Sequence, residues 1–308
     1  MAAQLAQPVA LETTYKVREA EGILDIYFYR KIGFQLAKFF AKVGMSPTEV
    51  TLVGGLFGVM AGHLYFYQAV GINLAGMILH VVANAFDNAD GQLARLTNQQ
   101  SRTGRILDPV VDHIVWLSIY VHLALRLNLS GFPGTVWLLA LVAGLSHGLQ
   151  AGSADYWRNA YLYFGKGGNN FDTVSNLRTE YGKYSWRAEP WRKFLLRLYL
   201  NATHQQELLM PGVTKLRESI GQGRAPEMGF DFQSRYTALA RPTFKWWSLL
   251  MTNTRMLVLF VLFLVKQPVW FFWIEIIAGN LLLVYLIARQ EKISRSFVQS
   301  PGLRTESA

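Results

Sequence analysis

The sequence has no cysteine among its 308 residues. That excludes disulfide bridges and thiolate metal centres. Charge is also scarce, at 16% of residues against about a quarter in ordinary soluble domains. Negative charge is the scarcer sign, with 20 Asp and Glu against 30 Lys and Arg and a net charge of +10. Residues 1–22 are polar and lack the apolar core of a cleavable signal peptide, so none is expected there.

What the chain has in abundance is apolar length. Hydrophobic residues make up 51% of the chain, and apolar stretches recur at about the 20 residues that a helix needs to cross the hydrocarbon core. Six such stretches are read, at about 48–70, 72–97, 104–126, 134–160, 243–266 and 268–288. The expected fold is all-α: an integral membrane bundle of six transmembrane helices, preceded by an amphipathic interfacial helix. The expected partition is a lead with the interfacial helix (1–46), spans one to four (47–164), a basic insert (165–242), spans five and six (243–290) and a tail (291–308).

Orientation follows from the basic residues. With six spans and the N-terminus inside, the outer turns and their edges hold only Arg126 and Lys266 of the thirty Lys and Arg. The positive-inside rule then assigns both termini to the cytoplasm. The basic inner face suits anionic headgroups or phosphorylated substrates. Nucleic acid is not an expected partner, because the charge is spread around a membrane protein's inner rim.

Residues 1–19 read as a flexible lead. Over 20–43, Ile23, Ile26, Tyr27, Arg30, Phe34 and Leu36 fall among lysines at roughly helical spacing, as in a helix lying in the headgroup plane. In "GMSPTEVT", Ser46 suits an N-cap and Pro47 a first helical position. Gly54, Gly58 and Gly62 step by four, a spacing that lets helices approach closely, either within the bundle or between copies.

Between 165 and 245 there are 13 Lys or Arg against 7 Asp or Glu. Residues 189–210 begin with Glu-Pro and read as a helix with an apolar side, while "GKGGNN" and "GQGRAPEMG" are loop punctuation. The insert is expected to be a cytoplasmic lid or an interfacial helix pair. The sequon at Asn201-Ala-Thr203 has no role if the insert is cytoplasmic.

The chemistry concentrates in "DNADGQLARLTNQQSRTGRILDPVVD", residues 87–112. On a helix, Asp87, Asp90, Gly91 and Ala94 form one stripe, which Asn84 and His80 extend and Arg95 flanks. Gly104, Asp108 and Asp112 form a second stripe, and the short link near 97–103 is expected to set the two helices antiparallel with the stripes facing. A carboxylate at mid-membrane costs about 2.5–3.5 kcal/mol on the insertion scale, so such groups usually face a cavity and have a partner. Four like charges close together repel unless cations intervene. Carboxylate oxygens select hard divalent ions, and two Mg²⁺ or Mn²⁺ would balance four carboxylates. Gly91 and Ala94 leave room for a flat or phosphorylated ligand.

The run Asp87-x2-Asp90-Gly91-x2-Ala94-Arg95-x8-Gly104-x3-Asp108-x3-Asp112 resembles the signature of the CDP-alcohol phosphotransferase (CDP-alcohol phosphatidyltransferase) family, with every position filled. The resemblance extends to "SPTEVT" and the six-span plan. It implies transfer of a substituted phosphate from a CDP-linked donor to an alcohol, with release of CMP, in phospholipid biosynthesis (EC 2.7.8 type). By motif position, Asp87, Asp90 and Asp108 would hold the divalent ions, and Asp112 would contact metal and act as general base. Asp87, Gly91, Ala94, Arg95 and Gly104 would form the nucleotide site, with Thr48 and Thr51 as further candidates. The family also implies a homodimer, and a donor and acceptor of which one is a lipid.

Candidate acceptor contacts come from other polar residues in the spans. His147 is either a substrate contact or a packed core residue, and Arg158 either a contact or a snorkelling side chain. Arg255, with Thr252 on the same helix face, reads as an anionic-headgroup contact or as half of an internal salt bridge. Glu275 and Asn280 are assigned to helix contacts. The opening "VREAEGILDIYFYR" is similar to that of the branch containing inositol-phosphate-linking enzymes, favouring polar-headgroup transfer. The competing functions are a catalytically inactive nucleotide-binding membrane scaffold and an ion-coupled transporter.

Overall fold

A computed structural model describes residues 22, 24–168, 171–220 and 229–299. The lead at 1–19, the polar stretch judged for a signal peptide, most of "GQGRAPEMG" and the end of the tail lie outside the described residues. Helices are the only regular structure among the described residues, as expected for an all-α chain. They are α1 (Arg30–Val43), α2 (Pro47–Leu64), α3 (Val70–Leu96), α4 (Arg102–Leu129), α5 (Val136–Lys166), α6 (Val174–Gly182), α7 (Pro190–Leu209), α8 (Pro211–Ile220), α9 (Phe230–Ala240), α10 (Phe244–Trp247), α11 (Thr252–Leu264), α12 (Val269–Trp273) and α13 (Asn280–Val298).

Among the described residues, four helical segments are long and apolar enough to cross a membrane: α3, α4, α5, and the continuous run of α12, a π-helical turn and α13. A fifth is added if the broken pair Phe230–Leu250 and Thr252–Leu264 counts as one span. The break falls at Met251, which is extended between a 3₁₀ turn and α11. The remaining expected span, α2, is not among them. Its 18 residues include Pro47, Glu49 and His63 at the ends and four glycines, which together lower its hydropathy.

The chain divides into two compact units: residues 1–146 with 255–276, and 147–254 with 277–308. In the first, the approach to α2 is locally determined. Gly44 ends α1 in the left-handed conformation (φ 77°), and the Met45 N–H reaches back to the Phe40 carbonyl. Ser46 and Glu49 then form a reciprocal capping box around Pro47. A Cβ on Gly54 would stand 2.7 Å from Phe86 Cβ on α3, and one on Gly58 2.6 Å from Val115 Cγ2 on α4. Of the two uses open to the glycine steps, packing within the bundle is therefore realised. α2 makes the close backbone approaches to both α3 and α4, while α3 and α4 meet through side chains.

An aromatic core fills this unit: Tyr65, Trp116, Tyr120, Phe263, Phe271 and Phe272 are all buried in one cluster. Arg126 is buried and donates to the Tyr65 and Tyr67 carbonyls and to Asn73 Oδ1, fixing the α2–α3 turn. α1 lays Gly33, Phe34, Ala37 and Phe40 inward, and Gln92 of α3 donates to the Arg30 carbonyl.

In the second unit, Pro190 opens α7 where the sequence placed a helix start. Among its described residues the insert holds four helices, α6 to α9, where a lid or a helix pair was expected. α8 packs on α13, with the Gly212 N–H donating to Glu291. Gln290 of α13 accepts from Trp157 and donates to Tyr236, and Trp157 stacks on Trp247. Gln150 donates to Asn280, in keeping with the helix-contact role expected of Asn280.

Candidate active site

Three of the four aspartates on the two expected stripes come together. Asp87 and Asp90 on α3 and Asp108 on α4 each offer a carboxylate oxygen, all within 4.8 Å of one another. Asp90 is buried and the other two half-buried. Asp87 and Asp108 lie within hydrogen-bonding reach, and Asp112, one turn beyond Asp108, is close enough to act electrostatically on Asp87. Two carboxylates so close repel each other unless a cation sits between them.

Local structure explains why these helices deliver them here. Thr97 accepts no further turn of α3, Asn98 takes a left-handed backbone (φ 52°), and Ser101 restarts the chain as α4 by accepting from the Gly104 N–H. From α2, Thr51 offers its hydroxyl proton to Asp90 Oδ2, in competition with the Pro47 carbonyl.

The donor set fits a hard divalent ion. All its groups are carboxylates, and Asp108 Oδ1 is buried without a hydrogen-bond partner. A buried acceptor left that way is costly unless a cation or donor meets it.

The other predicted residues divide by position. A Cβ at Gly91 would touch only the Arg95 guanidinium, at 3.6 Å, so space lies open beside the aspartates where a flat ligand was expected. Ala94 and Arg95 are half-buried on the same helix. At Gly104 a Cβ would stand 2.9 Å from Ser101 Oγ, which gives that glycine a capping reason of its own. Thr48 is exposed in the first turn of α2.

Arg255 is buried in the first unit, with its Nε 2.9 and 3.2 Å from the two oxygens of Glu275. The internal pair raised as one reading of Arg255 is thus present, and its partner is the glutamate that the sequence reading had assigned to helix contacts. His147, Arg158 and Thr252 belong to the second unit. There His147 is buried, while Arg158 pairs with Asp155 at 2.8 Å. His80 sits deeper on α3 than the aspartates, buried against Trp116 and hydrogen-bonded to Tyr65. Glu275 makes the helix contact expected of it, and only its partner was not identified, because 20 residues and a turn separate it from Arg255.

Comparison with known proteins gives these residues a context. Residues 45–161 match the model of the CDP-alcohol phosphatidyltransferase family. The chain is 35% identical over 91 residues to an archaetidylinositol phosphate synthase of Pyrococcus horikoshii, covering 30% of this chain and 47% of that protein. It is 35% identical over 98 residues to a phosphatidylinositol phosphate synthase of Streptomyces avermitilis, covering 32% and 39%. Over 91 residues it is 36% identical to a putative cardiolipin synthase of Mycobacterium tuberculosis, covering 29% and 40%. Each match spans less than half of the relative's length. The stretch that contains the aspartates and the helices presenting them, residues 45–161, is a CDP-alcohol phosphatidyltransferase domain.

Proposed function

We propose that this chain is a phosphotransferase of phospholipid biosynthesis that moves a substituted phosphate from a CDP-linked donor to an acceptor alcohol and releases CMP. The observation that carries the reading is the meeting of Asp87, Asp90 and Asp108, with a buried, unpartnered oxygen on Asp108.

Asp87, Asp90, Asp108 and Asp112 would hold two Mg²⁺ or Mn²⁺. Bound there, the ions supply charge stabilisation for the phosphates and the leaving nucleotide. The chain's own residues do the rest. Gly91 and Ala94 leave the helix surface low enough for the nucleotide, and Arg95 faces its phosphates as a fixed cation. Thr51 holds Asp90 in place, with Thr48 and Gly104 at the margins of the nucleotide site.

Asp112 takes the proton from the acceptor hydroxyl. The hydroxyl oxygen forms a bond to the donor phosphorus nearest the alcohol, and the bond from that phosphorus to the CMP oxygen breaks. Arg255, Thr252, His147 and Arg158 are the proposed acceptor contacts.

Two of the relatives are named for inositol phosphate lipids. That favours a lipid on the donor and a polar alcohol as acceptor. Both termini and the site are proposed to be cytoplasmic, in line with the distribution of Lys and Arg. α1 is proposed to lie in the headgroup plane, because its outer side mixes Lys31, Lys38 and Lys42 with exposed Phe39 and Val43. A homodimer is proposed from the family resemblance.

The test is CMP release by purified protein with Mg²⁺ or Mn²⁺, offered CDP-diacylglycerol, CDP-choline, CDP-ethanolamine and CDP-inositol in turn. Each is run with and without polar alcohols and a lipid extract. Acceptor-dependent CMP from one donor, abolished in Asp112→Asn, is the expected result. Folded protein that yields no CMP from any donor would overturn the reading and favour an inactive scaffold.

A further inference from the structure

The second unit contains a buried cation that the transfer reaction does not use. Arg217 of α8 is only 8% exposed. Its Nε and Nη1 are buried with no hydrogen-bond acceptor, and among the described residues no carboxylate forms an ion pair with it. Aromatic rings surround the guanidinium instead, with centroids at 4.9 Å for Phe171 and 5.5 Å for Tyr163. The Tyr163 hydroxyl is likewise buried without a partner. Tyr156, two turns earlier on α5, packs its ring 5.0 Å from that of Phe171 and meets Thr214 of α8 through its hydroxyl.

Acidic side chains of this unit have partners of their own, as Asp172 does in accepting from the Tyr199 hydroxyl. Glu207 accepts from the Val174 N–H, and both oxygens of Glu291 accept from the Gly212 N–H at the start of α8. A buried lysine could shed its proton and become neutral, but a guanidinium cannot. Ring faces offset part of the charge and accept none of the in-plane N–H bonds. The cluster therefore has two guanidinium donors, one phenolic hydroxyl and one full positive charge, with no acceptor among the described residues to meet them.

We propose that Arg217 anchors an anion site in the second unit that takes a phosphate group, with the Tyr163 hydroxyl as a second donor and Phe171 and Tyr156 as its apolar wall. A phosphate matches this cluster better than a carboxylate, because it has a further oxygen for the Tyr163 hydroxyl beyond those that meet the guanidinium. The group comes either from an anionic phospholipid or from free phosphate. Its residues all belong to the second unit, and it does not depend on the transferase reading.

The test uses the delipidated full-length protein in zwitterionic detergent and follows its thermal unfolding. One arm titrates inorganic phosphate against chloride at matched ionic strength. The other compares phosphatidylcholine nanodiscs with and without phosphatidic acid. One of the two phosphate sources is expected to raise the unfolding temperature of the wild type. Arg217→Met keeps the apolar stem against the rings and should weaken that response roughly tenfold or more, the scale of a lost charge-assisted hydrogen bond.

Arg95→Met is the control for phosphate acting beside the aspartates. A response lost there and retained in Arg217→Met overturns the proposal, as does a wild type that responds to neither source. Should Arg217→Met fail to fold, Tyr163→Phe takes its place. A several-fold weaker response in that variant supports the site, and an unchanged one overturns it.

Discussion

Thr51 of α2 directs its hydroxyl at Asp90 of α3, so α2 is tied to the carboxylate cluster by a side chain as well as by packing. Removing that hydroxyl while keeping the branched shape should leave the fold intact and release Asp90 from its set position. For Thr51→Val we expect kcat/KM to fall about tenfold or more, on the scale of a hydrogen bond to a charged group. Thr51→Ser should retain most of the activity. The comparison needs only CMP release and a melting curve for each protein.

The aspartates should also make stability depend on metal. Saturating Mg²⁺ or Mn²⁺ at 100 times the dissociation constant would stabilise the folded protein by about 2.7 kcal/mol. Chelation removes that contribution and leaves like charges facing each other. Asp108→Asn should therefore lose the metal-dependent rise in melting temperature and, in chelator, be no less stable than the wild type. Calorimetry with and without EDTA measures both.

Two glycines should answer the same substitution in opposite ways. A Cβ at Gly54 runs into Phe86 Cβ at 2.7 Å, whereas one at Gly91 meets only Arg95 at an ordinary contact distance. Gly54→Ala should destabilise by about 1–3 kcal/mol through overpacking. Gly91→Ala should melt near wild type, or slightly above it given alanine's helix preference. It should nevertheless bind CMP more weakly, since the added methyl occupies the space kept for the ligand. Denaturation curves and CMP titration separate the two.

Much of this site is legible in the residues themselves because helical periodicity is local. Asp87 and Asp90 at i and i+3, and Asp108 and Asp112 at i and i+4, have to share helix faces. The short link through Asn98 brings the two faces together. The starts of α2 and α7 are equally local, marked by Ser46-Pro47 and Glu189-Pro190.

What stayed hidden depends on distant contacts. No proline or glycine marks the break at Met251, so a single fifth span was expected where the chain is interrupted. The four helices described in the insert could not be counted from composition, because their apolar sides are set by packing on one another and on α13. The partner of Arg255 required knowing which turn of the following helical run lies beside α11.

The absence of cysteine makes orientation directly measurable. Gln68 follows α2 and Lys166 ends α5, both exposed and, on the proposed orientation, on opposite sides of the membrane. A membrane-impermeant maleimide should label Gln68→Cys in intact cells and Lys166→Cys only after lysis. The reverse pattern would invert the orientation and place the aspartate cluster on the outer side.

The Arg255–Glu275 pair supplies the last prediction. Both side chains are buried, so removing one partner strands a charge in a low-dielectric interior. That costs about 3–5 kcal/mol, whereas replacing both partners with apolar residues of similar volume is often neutral or stabilising. Arg255→Met and Glu275→Leu should each lower the melting temperature sharply, and the double variant should recover most of the loss. Kinetics of the recovered double variant then reports on substrate, because its fold no longer depends on the pair. An acceptor KM raised with kcat held would assign Arg255 to ground-state binding of the acceptor. Wild-type kinetics would confine it to joining α11 to the helical run that follows, and leave the anionic acceptor to Arg158 and His147.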